Sequence, residues 1–238
     1  MKRMRTDLEL MSIHARALFT HDAESRLLFV NEPGSASAPA PRLFLGRTRA
    51  GNVWRFRADL PESLTEELGS LCAYEPPLNT EFDEPPRHSE RYVRLLETDA
   101  PVKRVSTGPA FYFPENIAPS RQLVGFTEKD AERLQGGFEE MIAELSAWQP
   151  FVAYIEDGRA VSVCRSVRIT PEAHEAGVET LPDFRGKGYA KDVTAEWARR
   201  VRAAGAIPLY STSWENKASQ ALARKLCLEC YGADFGVA

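Results

Sequence analysis

The stretch Thr180-Leu-Pro-Asp-Phe-Arg185-Gly-Lys-Gly-Tyr-Ala190 decides how the second half of the chain folds. A strand ends in it, and Pro182 stops the ladder because proline has no N–H to donate. A helix then opens near Gly188. The first turn of a helix leaves backbone N–H groups without intrahelical partners, and the macrodipole makes that end positive. Gly186 and Gly188 remove side chains that would keep an anion from those amides, while Arg185 and Lys187 add formal charge. From Asp183 to Arg202 there are six basic and three acidic residues, a local +3 in a chain of net charge −4. Such a site suits a diphosphate. It is neither a nucleoside-triphosphate loop, since Gly-x-x-x-x-Gly-Lys-Ser/Thr is absent, nor the dinucleotide fingerprint, since a third glycine is missing.

The segments around the loop are regular. Upstream, Phe151–Ile155 and Ala160–Val167 are strands joined at Asp157-Gly158, a strong hairpin signal. Glu175–Leu181 is the strand that enters the loop. Downstream, Ala190, Val193, Trp197, Val201 and Ala204 recur at helical spacing, so a helix is expected over 188–204 with Gly205 ending it. Ile207–Ser211 reads as a strand, Lys217–Leu226 as a helix and Glu229–Phe235 as a last strand. Before the hairpin, Thr127 can cap a helix running to about Trp148, with Asp130 three residues on and Gly136-Gly137 weakening its middle. The order gives an α/β arrangement with a mixed sheet.

Arg185-x-x-Gly188-x-Ala190 matches the Arg/Gln-x-x-Gly-x-Gly/Ala signature of the GNAT acetyltransferase superfamily. The order of strands and helices over about residues 125–238 resembles that family too. The resemblance implies an α+β fold with a mostly antiparallel sheet flanked by helices, and acetyl-CoA or another acyl-CoA as cofactor. It implies that amides from Arg185, Gly186, Lys187, Gly188, Tyr189 and Ala190 bind the pyrophosphate. The strand ending at Thr180 and Leu181 would pair with the pantetheine arm and be splayed from the next strand, a gap that Pro208 fits as readily as it fits an ordinary edge. Asn216, with Ser219 one turn on, matches the family's Asn ahead of the last helix; Asn is also a favoured N-cap.

Transfer of an acetyl group to an amine requires a base and a proton donor for the leaving thiolate. Strand alternation puts Glu175, Gly177 and Glu179 on one face, which makes both glutamates candidates for the base, with His174 beside them. Many family members carry a Tyr acid where this chain has Ala223, and read Gly-Phe where it has Cys227-Leu228. Tyr231, Tyr210 or water remain as proton donors. A weakly catalytic acyl-CoA-binding or sensor domain and a basic interaction face built on Arg185, Lys187, Arg199, Arg200 and Arg202 are the alternatives.

The first half carries no motif that ties it to a reaction. A helix is expected over 5–20, a strand over 26–30, a loop over 31–41 and a hairpin from Leu43–Leu45 and Val53–Arg57. Helices follow over 61–72 and 89–97, then strand material over 110–113. Residues 1–125 are expected to be an additional N-terminal α/β domain, either walling the cleft or copying the fold in degenerate form, and 126–238 the acetyltransferase domain. With 43% hydrophobic and 27% charged residues in 238, the composition is that of an ordinary globular chain. The acidic balance argues against nucleic acid as a partner. The basic start Met1-Lys-Arg-Met-Arg5 is not followed by an apolar run, and no stretch of 18 apolar residues suggests a membrane partner. Four cysteines are too few for a disulfide framework, and Cys227-Leu-Glu-Cys230 has no second ligand pair, so reduced thiols in the cytoplasm and no metal are expected. The expected acceptor is a small-molecule or peptide amine; the oligomeric state, homodimer included, stays open.

Overall fold

The computed structural model describes residues 5–34, 38–79 and 82–238. The basic residues 1–4 and the centre of the 31–41 loop lie outside them. The chain begins with α1 (Asp7–Leu18), whose capping box is reciprocal: the Glu9 amide donates to Thr6 Oγ1 at 3.2 Å and the Thr6 amide to Glu9 Oε2 at 2.8 Å. The short strands β1 (Phe19–His21) and β2 (Leu27–Val30) form a two-stranded ribbon. Next come β3 (Leu43–Thr48), β4 (Gly51–Phe56), α2 (Glu62–Ala73), α3 (Ser89–Glu97), β5 (Val105–Tyr112) and β6 (Val124–Phe126). The second half supplies β7 (Phe151–Glu156), β8 (Arg159–Ile169), β9 (Ala173–Thr180), α4 (Tyr189–Ala203), β10 (Ile207–Ser211), α5 (Lys217–Lys225) and β11 (Glu229–Val237).

Nine strands make one sheet in the order β4-β3-β11-β5-β10-β9-β8-β7-β6. Every neighbouring pair is antiparallel except β9 with β10. The mixed, mostly antiparallel sheet expected from the sequence is therefore the observed one. Its composition is less expected. Strands β3, β4 and β5 come from the first 112 residues, and β5 lies between β10 and β11. Residue 125 thus marks no break in the sheet. Apart from the β1–β2 ribbon, the first half builds no separate sheet among the described residues.

Side-chain alternation divides the core into two layers. Phe44, Ala173, Leu209 and Tyr231 pack under α1 on one face. Residues of the 127–148 segment, including Leu134, Phe138 and Leu145, cover Phe151 and Val163 farther along the sheet. On alternate positions, Val152, Cys164 and Tyr210 pack under α4 and α5 with Trp197 fully buried, and Leu43, Leu45 and Phe235 under α2 and α3. The helix expected over 127–148 is replaced by two 3-10 segments, Glu128–Leu134 and Glu139–Met141. The Thr127 capping box is present, but Gly136 and Gly137 take φ of 85° and 149° and end the helical path. Their amides bind the Glu139 carboxylate instead, at 2.5 and 3.0 Å. The β7–β8 turn forms as the sequence suggests, with Asp157 and Gly158 both at positive φ.

Candidate functional site

The loop between β9 and α4 winds through one 3-10 turn, Pro182–Phe184, and reaches α4 with Gly188 as N-cap at φ 85°. Gly186 also takes a left-handed conformation, φ 80°. The first amides of the helix ladder to reach back, Lys191 and Asp192, donate to the Gly188 carbonyl at 3.1 and 3.4 Å. Tyr189 and Ala190 therefore stand ahead of the ladder, with their N–H groups at the positive helix end. A Cβ built at Gly186 meets nothing within 4 Å, and one at Gly188 meets only Arg121 Nη1 at 3.6 Å. The space before these amides is an open cradle of the right chemistry for a diphosphate.

The cradle is braced from the segment before β6. Arg121 pairs with the buried Asp192 carboxylate and donates through Nη2 to the Lys187 carbonyl at 3.2 Å. Its guanidinium lies 5.2 Å from the Tyr189 ring, which stacks on Tyr154 at 4.1 Å. Ser120 donates to Asp192 from both its amide (2.7 Å) and its hydroxyl (2.8 Å). Burial would raise the Asp192 pKa, but the Ser120 and Arg121 donors outweigh it and hold the carboxyl below its usual value.

A cavity of about 830 Å³ runs from this cradle into the sheet. It follows the gap between β9 and β10, whose parallel pairing covers only Ile207–Ala173, Pro208–His174 and Leu209–Glu175. Beyond Glu175 the strands part: Ala176, Val178, Glu179 and Thr180 line one wall, and Tyr210, Ser211 and Thr212 the other. Pro208 sits inside the paired stretch, just before the divergence, not in the gap. Asn216 caps α5 through Oδ1, accepting from the Ser219 amide at 3.0 Å. Tyr210 and Ser219 hydroxyls are 2.5 Å apart. Burial raises the Tyr210 pKa, and the Ser219 hydrogen bond only partly offsets this, so Tyr210 keeps its proton at neutral pH.

Residues 116–233 match the family model described as GNAT acetyltransferase. The chain carries a GNAT acetyltransferase domain. No curated protein sequence matches it. Among solved structures it is similar to a putative GNAT-family acetyltransferase from Novosphingobium aromaticivorans at 19% identity, over 57% of this chain and 65% of that one, with a TM-score of 0.49. The chain thus spans just under two thirds of that protein's length. A GCN5-related N-acetyltransferase-like protein from Streptococcus suis matches at 17% identity over 84% of this chain and 85% of its own, TM-score 0.48. A Drosophila protein matches at 12% identity over 83% and 74%, TM-score 0.50.

Within the GNAT domain the structure brings most of the sequence-derived cofactor residues together. Thr180, Leu181, Arg185, Gly186, Gly188, Tyr189, Ala190, Asn216 and Ser219 line the cavity. Lys187 does not; its ammonium turns to Glu156 at 3.6 Å and lies over the Phe184 ring. The two glutamates part company. Glu179 lines the cavity near the loop, with its side chain 46% exposed and paired to Arg165 at 2.8 Å. Glu175 is buried at the apex of the gap, with Oε2 accepting from Ser211 Oγ at 3.1 Å and Oε1 2.6 Å from His14 Nδ1. His174 is half-buried against Ser166 and does not line the cavity; burial lowers its pKa.

Tyr231 is 1% exposed in the core beneath α1, and its hydroxyl has no hydrogen-bond partner among the described residues. It does not line the cavity, whereas Tyr210 does. Cys227 takes φ 53°, the left-handed position usually held by glycine after a helix. It is exposed, Cys230 is partly buried, and no His/Cys/Asp/Glu group suited to a metal occurs among the described residues. The proposed basic face is also largely spent internally: Arg199 and Arg200 pair with Glu196 at 2.7 and 2.8 Å, and Arg202 donates to the Phe113 carbonyl at 2.7 Å. No described helix is long and apolar enough to cross a membrane.

Proposed function

We propose that this protein is an acyl-CoA-dependent N-acyltransferase that moves an acetyl group from acetyl-CoA to the amine of a small molecule or peptide. The observation that carries the reading is the continuity of one cavity from the α4 cradle to the point where β9 and β10 part. Acetyl-CoA, when bound, supplies an acyl group already activated as a thioester. Amides of the Arg185–Ala190 loop would hold its diphosphate, and the unpaired edge of β9 from Ala176 to Thr180 would hydrogen-bond the pantetheine arm.

That course assigns the two ends of β9 different work. Thr180 to Glu175 is five residues, roughly 17 Å of strand, so Glu179 lies beside the arm and Glu175 at the reacting end. We assign Glu175 as the group that takes the proton of the incoming amine, directly or through Ser211 and water. Tyr210 replaces Tyr231 as the candidate proton donor to the departing thiolate, because it lines the cavity and Tyr231 does not. The hydroxyl of Tyr210 also answers the absence of a tyrosine at Ala223, which is 1% exposed in the core.

The binding half of the reading is checked by thermal unfolding. Acetyl-CoA at a hundred times its dissociation constant adds about 2.7 kcal/mol, which raises the midpoint of a chain this size by several degrees. Absence of any shift with acetyl-CoA and with longer acyl-CoAs would end the proposal. Release of free thiol in the presence of an amine panel then separates a transferase from a domain that only binds acyl-CoA.

A further inference from the structure

His14 belongs to α1, 161 residues before Glu175 in the chain, and is fully buried against it. Its Nδ1 is 2.6 Å from Glu175 Oε1 and its Nε2 is 3.2 Å from Asp234 Oδ2. A neutral imidazole has one N–H and could serve one of these carboxylates, leaving a lone pair against the other. Two carboxylates on opposite ring nitrogens call for the doubly protonated ring. The surrounding elements add little competing charge: β10 presents Ser211 to Glu175, β11 presents Asp234 and the Tyr231 ring, and β3 presents Phe44. Asp234 keeps 20% of its side chain in solvent, so the row Ser211–Glu175–His14–Asp234 runs from the cavity wall to the surface.

We propose that His14 is a positioning residue for the acyl transfer: its ring, set between Glu175 and Asp234, holds the Glu175 carboxylate oriented toward Ser211 at the apex of the β9–β10 gap, which makes helix α1 part of the catalytic unit. The inference rests on the reading of Glu175 as the proton acceptor. In the step it serves, an N–H bond of the acceptor ammonium breaks, an O–H bond forms on Glu175, and His14 keeps both of its protons throughout. Burial alone would lower the His14 pKa, but Glu175 and Asp234 together raise it to about 10. The charge is therefore in place across neutral pH. An ion pair that only stabilised the fold would not need to meet the cavity wall, whereas this one meets it through Ser211.

The chain has four histidines, so imidazole nitrogen-15 spectra of the whole protein, compared with His14→Gln, identify the His14 ring. It is expected to carry both N–H groups from pH 6 to about pH 9, and to titrate at least about one pH unit lower in Glu175→Gln. A neutral His14 ring at pH 7 overturns the inference, whatever the acceptor. The second arm is the pH dependence of thiol release with acetyl-CoA and an amine that the panel identifies. Removing a cation beside a carboxylate favours its protonated form, so His14→Gln should move the acidic limb up by about one pH unit or more. At pH values below the limb, a one-unit move lowers turnover roughly tenfold, with KM for acetyl-CoA little changed. Asp234→Asn removes a neighbouring anion and should move the limb down, which decides the matter even if His14→Gln does not fold. Limbs that stay in place in the folded variants overturn the proposal. Full activity in Glu175→Gln removes the base assignment itself; an inactive Glu175→Gln beside unmoved limbs removes only the role of His14.

Discussion

Gly188→Glu is expected to fold and to lose acetyl-CoA binding altogether, with no thermal shift at concentrations that stabilise the native protein by several degrees. Gly188 is the N-cap of α4 at φ 85°. A non-glycine residue there costs about 1–2 kcal/mol, which a chain of this size tolerates. Space is not the obstacle, since the nearest atom to an added Cβ is Arg121 Nη1 at 3.6 Å. What changes is the field. A carboxylate would occupy the cradle ahead of the Tyr189 and Ala190 amides and satisfy the helix end that otherwise faces the diphosphate. It would also take up the Arg121 charge. Gly188→Asn separates the two effects, because asparagine tolerates the left-handed conformation and adds no charge; it should weaken binding but not abolish it. Undiminished affinity in a folded Gly188→Glu protein would show that the diphosphate is held elsewhere.

Glu175→Gln is expected to lower turnover by about 10²–10⁴-fold, the range for losing a positioned general base, while acetyl-CoA affinity changes less than about twofold. The separation follows from place. Glu175 lies at the apex, where β9 and β10 make their last pair, and the cradle is at the other end of the strand. The amide retains the shape and can still accept from Ser211, but it cannot take a proton. Glu179→Gln, on the wall near the loop, should leave turnover near the native value and act on affinity if it acts at all. Equal loss of turnover in both variants would remove the distinction drawn between the two carboxylates.

The loop that orders this site was legible because its chemistry is local. Two glycines, a helix start and flanking basic residues lie within eleven positions; the glycines take the left-handed conformations and the helix opens where expected, while Lys187 turns away to Glu156. The Asp157-Gly158 turn was legible for the same reason. The 127–148 segment misled because its capping signal is real while the following glycines end the helical path within ten residues. Strand β5 was seen only at its end, over 110–113, and Gly108 lies in the part that was missed. In the sheet that glycine is needed: a Cβ there would lie 1.7 Å from the Thr212 carbonyl oxygen, the close approach that marks glycine within strands. His14 and Arg121 could not be found from their neighbours at all. A lone histidine on an apolar helix face looks like core, and only the tertiary fold brings it to Glu175. The first half therefore contributes what its own sequence does not state: it supplies β5, the cover over β9, and the histidine beside the apex carboxylate.

A crystal structure grown with coenzyme A tests the central claim most directly. The expected result is diphosphate density before the N-terminus of α4, with phosphate oxygens within about 3.2 Å of backbone amides between Arg185 and Ala190. The pantetheine should run along Ala176–Thr180 and place its sulfur beside Tyr210 and the Glu175 apex. Coenzyme A bound with its diphosphate away from this loop, or with its thiol directed out of the β9–β10 gap, would contradict the account.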